Sequence, residues 1–193
     1  MSGGGKLTGG SGASGVGGGQ AISDRLSELA EGVKSPVTTD RGLSARLRYL
    51  TKSSAGYEAM ESAGLDVTAR TFTAWLAEER TPNAANLAKI EAAYTDLHHQ
   101  NMAGSLKRRL SGDGTGTRIE VHPVDQSAVP PEQQRDLRIR RVTVRPDEWT
   151  RLVDQWAAGD IGAMNATWAQ VAADTLGTDW HAYEAVDHIG FGA

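Results

Sequence analysis

Ala59-Met60-Glu61-Ser62-Ala63-Gly64-Leu65-Asp66-Val67-Thr68-Ala69-Arg70-Thr71-Phe72-Thr73-Ala74-Trp75-Leu76 reads as two short amphipathic helices joined at a glycine turn. Ala59 and Ala63 are small enough for the second helix to cross closely, and Gly64 supplies a turn where a side chain would clash. Thr68 stands where an N-cap belongs. The helix it opens buries Phe72, Trp75 and Leu76 and turns Arg70, Thr71 and Thr73 outward. That is the outline of a helix-turn-helix, in which Thr68, Arg70, Thr71 and Thr73 meet a major groove. The competing reading is a helical hairpin whose polar face is only solvated, and Glu78 and Glu79 follow directly.

The flanks extend a helical unit over residues 37–111. Asp40 is positioned to cap a helix with Leu43, Leu47 and Leu50 on one side, and Arg46 and Arg48, followed by Lys52, add positive charge that DNA phosphates would attract. Thr81-Pro82 opens a long helix carrying Leu87, Ile90, Tyr94 and Leu97. Met102, Leu106 and Leu110 prolong the stripe, with Gly104 a possible break, and Lys107-Arg108-Arg109 is either a phosphate contact or a complement to the helix C-terminus. Gly112–Gly116 is a loop. Its Gly-Asp-Gly-Thr-Gly is no dinucleotide fingerprint, since a helix precedes it rather than a strand.

Upstream, residues 1–20 are rich in glycine and serine, have almost nothing to bury, and read as a disordered tail. Gly3-Gly4-Gly5-Lys6 fails as a phosphate loop because Leu7 stands where a hydroxyl residue is required. Residues 21–36 read as a short amphipathic helix, Ile22, Leu26, Leu29 and Val33, with a linker.

Residues 112–193 change character. Arg118–Pro123 alternates like a strand, and Leu137–Arg145 is a second strand whose alternation slips between Ile139 and Val142; a β-bulge near Arg140-Arg141 would reconcile it. Pro146-Asp147-Glu148 starts a helix with Trp149, Leu152, Val153 and Trp156 on one stripe, Met164, Trp168 and Val171 mark another, and Tyr183–Phe191 reads as an edge strand. A strand followed by two helices is the order of ribbon-helix-helix dimers, which would aim either Arg138 and Arg140, or Arg141, Thr143 and Arg145, at DNA, depending on the bulge. The alternative is a small β–α subdomain that dimerises. The apolar stripe and the open strand edge favour a homodimer through residues 118–193.

The net charge is −4, yet its distribution is polar along the chain: no Lys or Arg follows Arg151, while six acidic residues do. A phosphate-facing surface with an acidic rear has this form. The chain lacks cysteine, so disulfides and thiolate chemistry are excluded, and no apolar run is long enough to span a bilayer. With no signal-peptide pattern at the start, the expectation is a cytoplasmic, nucleoid-associated protein. The five histidines show no metal spacing and no catalytic triad pattern, so no intrinsic metal or cofactor is expected.

Several pieces in order resemble a known family: Arg70-Thr71-Phe72 with Trp75-Leu76, then Leu87-Ala88-Lys89-Ile90-Glu91, Lys107-Arg108-Arg109, a Thr-rich stretch into Arg118-Ile119-Glu120-Val121, and Arg138-Ile139-Arg140-Arg141-Val142-Thr143-Val144. Over residues 40–176 the chain resembles the terminal proteins that cap the telomeres of linear Streptomyces chromosomes and plasmids. The resemblance implies covalent attachment to a DNA 5′ end through a threonine hydroxyl that primes end replication, here Thr117 or Thr115. It also implies double-stranded or telomeric single-stranded DNA, a DNA polymerase and a telomere-binding protein as partners, with magnesium supplied only through the polymerase. A flexible threonine between glycines suits a priming hydroxyl, because the polymerase must bring a nucleotide to it. Thr117 is favoured at this point because it abuts a strand. The expected fold class is α+β: a helix-turn-helix domain followed by a small β-β-α-α(-β) domain of ribbon-helix-helix type. Two other functions fit the residues, a helix-turn-helix regulator of transcription or plasmid maintenance, and a self-assembling interaction protein.

Overall fold

The computed structural model describes residues 7–8 and 12–191. The tail expected over residues 1–6 and 9–11, with its rejected phosphate loop, lies outside the described residues. Among these the chain is α+β, as expected, and divides into two compact units. One runs from Glu31 to Met102; the other joins the residues up to Ala30 with those from Ala103 onward.

The helical unit holds α2 (Asp40–Leu50), α3 (Ser54–Ser62), α4 (Ala69–Leu76) and the first part of α5 (Ala84–Leu110). Leu47, Leu50 and Ile90 are fully buried, with Trp75, Tyr94 and Leu97 around them. The spacing that predicts these stripes therefore describes the core. Two caps differ from expectation: one residue before Asp40, the Thr39 hydroxyl accepts from the Gly42 N–H at 3.1 Å, and two residues after Thr81, Asn83 Oδ1 accepts from the Asn86 N–H at 2.9 Å. In each case a short polar side chain near the expected position reaches the free amides first. Gly104 does not break α5, since a single glycine inside a long helix costs only about 1 kcal/mol.

In the α/β unit, β3 (Thr117–Pro123), β4 (Arg140–Val144) and β5 (Ala185–Phe191) form an antiparallel sheet with β2 (Ser14–Gly17), in the order β2-β5-β3-β4. The two-residue β1 (Leu7–Thr8) pairs onto β2. Helices α1 (Gly18–Ala30), α6 (Pro146–Ala157) and α7 (Ile161–Leu176) pack together, and their apolar faces share a core with Ile119, Val121, Val144 and Val186, all 0% exposed. No helix among the described residues is long and apolar enough to cross a membrane.

The glycine-rich start is where sequence and structure part most sharply. Residues 14–20 are built into this unit as a strand and the first turn of a helix. A Cβ on Gly18 would lie 2.1 Å from Trp168 Nε1, and one on Gly19 would lie 2.3 Å from the Asn165 backbone nitrogen. These glycines permit close approach, a use of glycine that composition cannot distinguish from flexibility. Three further corrections follow from this. The segment 21–36 is not one element, because α1 begins at Gly18 and belongs to the α/β unit, while Val33 packs in the helical unit. Strand β5 is central rather than at an edge, because β2 covers its other side. The Trp149, Trp156 and Trp168 rings, 0 to 1% exposed, are buried within one chain, with Ser27 of α1 accepting the Trp156 indole N–H at 3.0 Å. The apolar argument for a homodimer therefore lapses.

The expected bulge at Arg140-Arg141 is absent: β4 starts at Arg140, pairs regularly with β3, and leaves Leu137 and Ile139 outside the strand. The irregularity sits instead between His122 and Pro123. Strand β4 thus has an in-chain neighbour, unlike the ribbon of a ribbon-helix-helix dimer, whose strand pairs only with its twin.

Candidate nucleic-acid interface

Helix α3 ends in a left-handed glycine. Gly64 has φ 72°, its N–H bonds to the Glu61 carbonyl at 2.8 Å, and the Leu65 N–H reaches back to Met60 at 2.9 Å. This closes the helix and turns the chain toward α4. The ammonium of Lys89 donates to the Gly64 carbonyl at 2.6 Å, which holds the turn against α5. Thr68 then caps α4 as expected: its hydroxyl accepts the Thr71 N–H at 3.2 Å and lies 3.0 Å from the Thr71 hydroxyl.

The buried face of α4 is Ala74 and Trp75. Phe72 and Leu76, expected in the core, are half-buried because they line an open apolar cavity of about 470 Å³ with Tyr57, Met60 and Val67. The outward face carries Arg70 and Thr73, both exposed, with Thr71 half-buried beside them. At the far end Glu78 takes φ 61° and the Glu79 and Arg80 amides close on the Ala74 carbonyl at 2.9 and 3.3 Å. This reversal returns Arg80 to Arg70, and the two, with Thr73 and Glu79, line a cleft of about 490 Å³. Arg80 was not singled out from sequence; a basic residue just after a helix stop and just before Pro82 is the available signal.

The remaining expected contacts divide. Arg48 and Lys52 are exposed on the helical unit, free for solvent. Arg46 is not: it is 4% exposed, its guanidinium is paired with Glu91, and it donates to the carbonyls of Ser35 and Gly42 at 2.8 and 3.0 Å. Its i, i+4 placement to Gly42 and Leu50 puts it on the core side of α2, so it is structural rather than a phosphate contact. Residues 31–102 hold eight Lys or Arg against nine Asp or Glu. Any attraction to DNA is therefore local to the exposed arginines rather than a property of the unit's net charge.

In the α/β unit, Arg108 and Arg109 are exposed, whereas Lys107 is half-buried and paired with Asp154 at 2.5 Å. Arg138 pairs with Asp136 at 3.0 Å, Arg140 with Asp179 at 3.6 Å and Arg141 with Glu120 at 2.8 Å. Arg141 holds the Glu120 carboxyl below its ordinary range, by hydrogen bond first and by charge second. Much of the basic charge in the second half of the sequence, Lys107, Arg138, Arg140, Arg141 and Arg145, thus has a carboxylate neighbour, which tempers the segregation expected from charge distribution.

The loop before β3 contains the two candidate priming threonines. The Thr117 hydroxyl is half-buried and donates to the Leu110 carbonyl at 2.7 Å, satisfying an orphan acceptor at the end of α5. Thr115 is exposed, and its hydroxyl donates to Gly112 at 2.6 Å within the turn. Among the described residues, no group of three or more His, Cys, Asp or Glu side chains is placed to hold a metal ion. Comparison with protein families, with characterised proteins and with solved structures finds no match to this chain.

Proposed function

We propose that the protein binds double-stranded DNA, with α3 and α4 as a helix-turn-helix and α4 in the major groove. The observation that carries this reading is α4 itself: a capped helix anchored by a buried tryptophan on one side and presenting Arg70 and Thr73, uncommitted to the core, on the other. An arginine on such a face reads guanine, a threonine reads either a polar edge or a thymine methyl, and Arg48 and Lys52 supply phosphate contacts. Selecting bound duplexes from a random pool with the full chain tests it. Enrichment of a defined site supports the reading; recovery of unselected sequences at every round sets it aside in favour of an interaction protein.

The finer proposal is that of a terminal protein, and the exposed Thr115 hydroxyl favours it over a plain regulator. In this reading that oxygen attacks the α-phosphorus of a deoxynucleotide held with magnesium by a partner polymerase, its proton passes to a base on the polymerase, and pyrophosphate leaves. Accessibility moves the preference from Thr117 to Thr115. With a cognate polymerase and labelled deoxynucleotide, wild type and Thr117→Val should take up label and Thr115→Val should not; full labelling of Thr115→Val would remove the assignment.

A further inference from the structure

The sheet of the α/β unit has a second face. Ile119, Val121, Val142 and Ile189 point inward and are 0 to 3% exposed, so the residues alternating with them point away from the core. Pairing sets these in rows across the strands: Arg118 opposite Thr143, Glu120 between Gly190 and Arg141, and His122 opposite His188. The imidazoles of His122 and His188 lie stacked, with centroids 3.9 Å apart and planes 18° from parallel. The His188 side chain is 57% exposed and that of Arg141 62%. Just before β4, Ile139 is 53% exposed, although most large apolar side chains of this unit are buried. Arg118 is exposed at the other end of the face.

Flat rings and two arginines on the outer face of an antiparallel sheet, with an exposed aliphatic side chain just before one strand, match the two chemistries of an unpaired nucleotide strand: base faces that need a stacking surface, and phosphates that need cations. A duplex keeps its base faces hidden within its own stack, so it cannot use this surface. Glu120 does not close the site to phosphate, because its carboxylate is engaged by Arg141 Nε at 2.8 Å, and a guanidinium carries further N–H donors besides Nε. We propose that this face binds single-stranded nucleic acid, with bases stacked against the His122–His188 pair and the backbone near Arg118 and Arg141. The proposal stands apart from the reading of α4.

Fluorescence anisotropy of a labelled unpaired oligonucleotide of about twelve nucleotides, a length within the span of such surfaces, tests it with the full chain at fixed salt. DNA and RNA strands of one sequence show which sugar is preferred. Binding of either should weaken roughly tenfold or more in the His122→Ala/His188→Ala variant, the loss expected for removing the support under one base. The His122→Phe/His188→Phe variant keeps flat rings and should retain binding. Both histidine variants replace outward-facing side chains, and unchanged far-ultraviolet dichroism confirms their fold. Failure of both strands to bind, equal affinity for the matching duplex, or equal loss in the Phe and Ala variants would overturn the proposal.

Discussion

The guanidinium of Arg46 pairs with the carboxylate of Glu91: Nη2 donates to Oε1 at 3.0 Å and Nε stands 2.6 Å from Oε2, with the Arg46 side chain only 5% exposed. The pair ties α2 to α5 inside the helical unit, and the same guanidinium lies 5.1 Å from the centre of the Tyr94 ring. Charge in this position is a matter of folding, not of DNA.

Removing one partner leaves the other without its counter-charge. Because Glu91 keeps 31% exposure, Arg46→Met should destabilise by roughly 3 kcal/mol, the low end for breaking a buried pair. Arg46→Met/Glu91→Leu should recover part of that loss. Urea unfolding of the two variants checks this, and an unchanged midpoint for Arg46→Met would show that the pair contributes little.

Gly18 tests the integration of the glycine-rich segment. With its added Cβ 2.1 Å from the Trp168 indole nitrogen, whose N–H donates to the Tyr183 carbonyl at 2.9 Å, Gly18→Ala has to displace α1 or break that bond. The expected destabilisation is about 1–3 kcal/mol, as for overpacked cores, visible as a lower unfolding midpoint and a shifted tryptophan emission. Were residues 14–20 a free tail, the substitution would be silent.

What was legible in the sequence was what periodicity encodes. The stripes Leu43, Leu47, Leu50 and Trp149, Leu152, Val153, Trp156 are core because a 3.6-residue period leaves one face apolar, and Thr68 announces a helix start by its chemistry. Gly17, Gly18 and Gly19 are illegible, since close packing and disorder share one composition and only the partner, Trp168 or Asn165, distinguishes them. Without that segment β5 is an edge strand and the tryptophans lack cover. Arg46 misled for a related reason: a charged residue on a helix is exposed by default, and its acceptor, Glu91, lies 45 residues away. At the candidate site, Arg70 and Thr73 follow from the helix period, whereas Arg80 depends on the reversal at Glu78.

Glu120 has a testable titration. Its carboxyl is held below its ordinary value by Arg141, so the pairing supports the fold above the unfolded-state value and is lost as pH falls through the depressed folded-state value. Carbon-detected NMR should place the Glu120 midpoint below that of an unpaired glutamate, and Arg141→Ala should raise it. Identical midpoints in the two proteins would show that the contact is not kept in solution.

The central claim is that α4 reads DNA through Arg70 while Trp75 holds it in place. Trp75→Ala should destabilise the helical unit by about 3–5 kcal/mol, as for other large core truncations, and so cannot test recognition by itself. Arg70 is exposed, and Arg70→Ala leaves that core intact. The decisive measurement is the affinity of wild type and Arg70→Ala for the selected duplex and for one altered at the contacted base pair, at one salt concentration. The account expects Arg70→Ala to bind the selected site more weakly by roughly 1–3 kcal/mol and to lose its preference over the altered site; equal affinity and undiminished preference in the variant would contradict it.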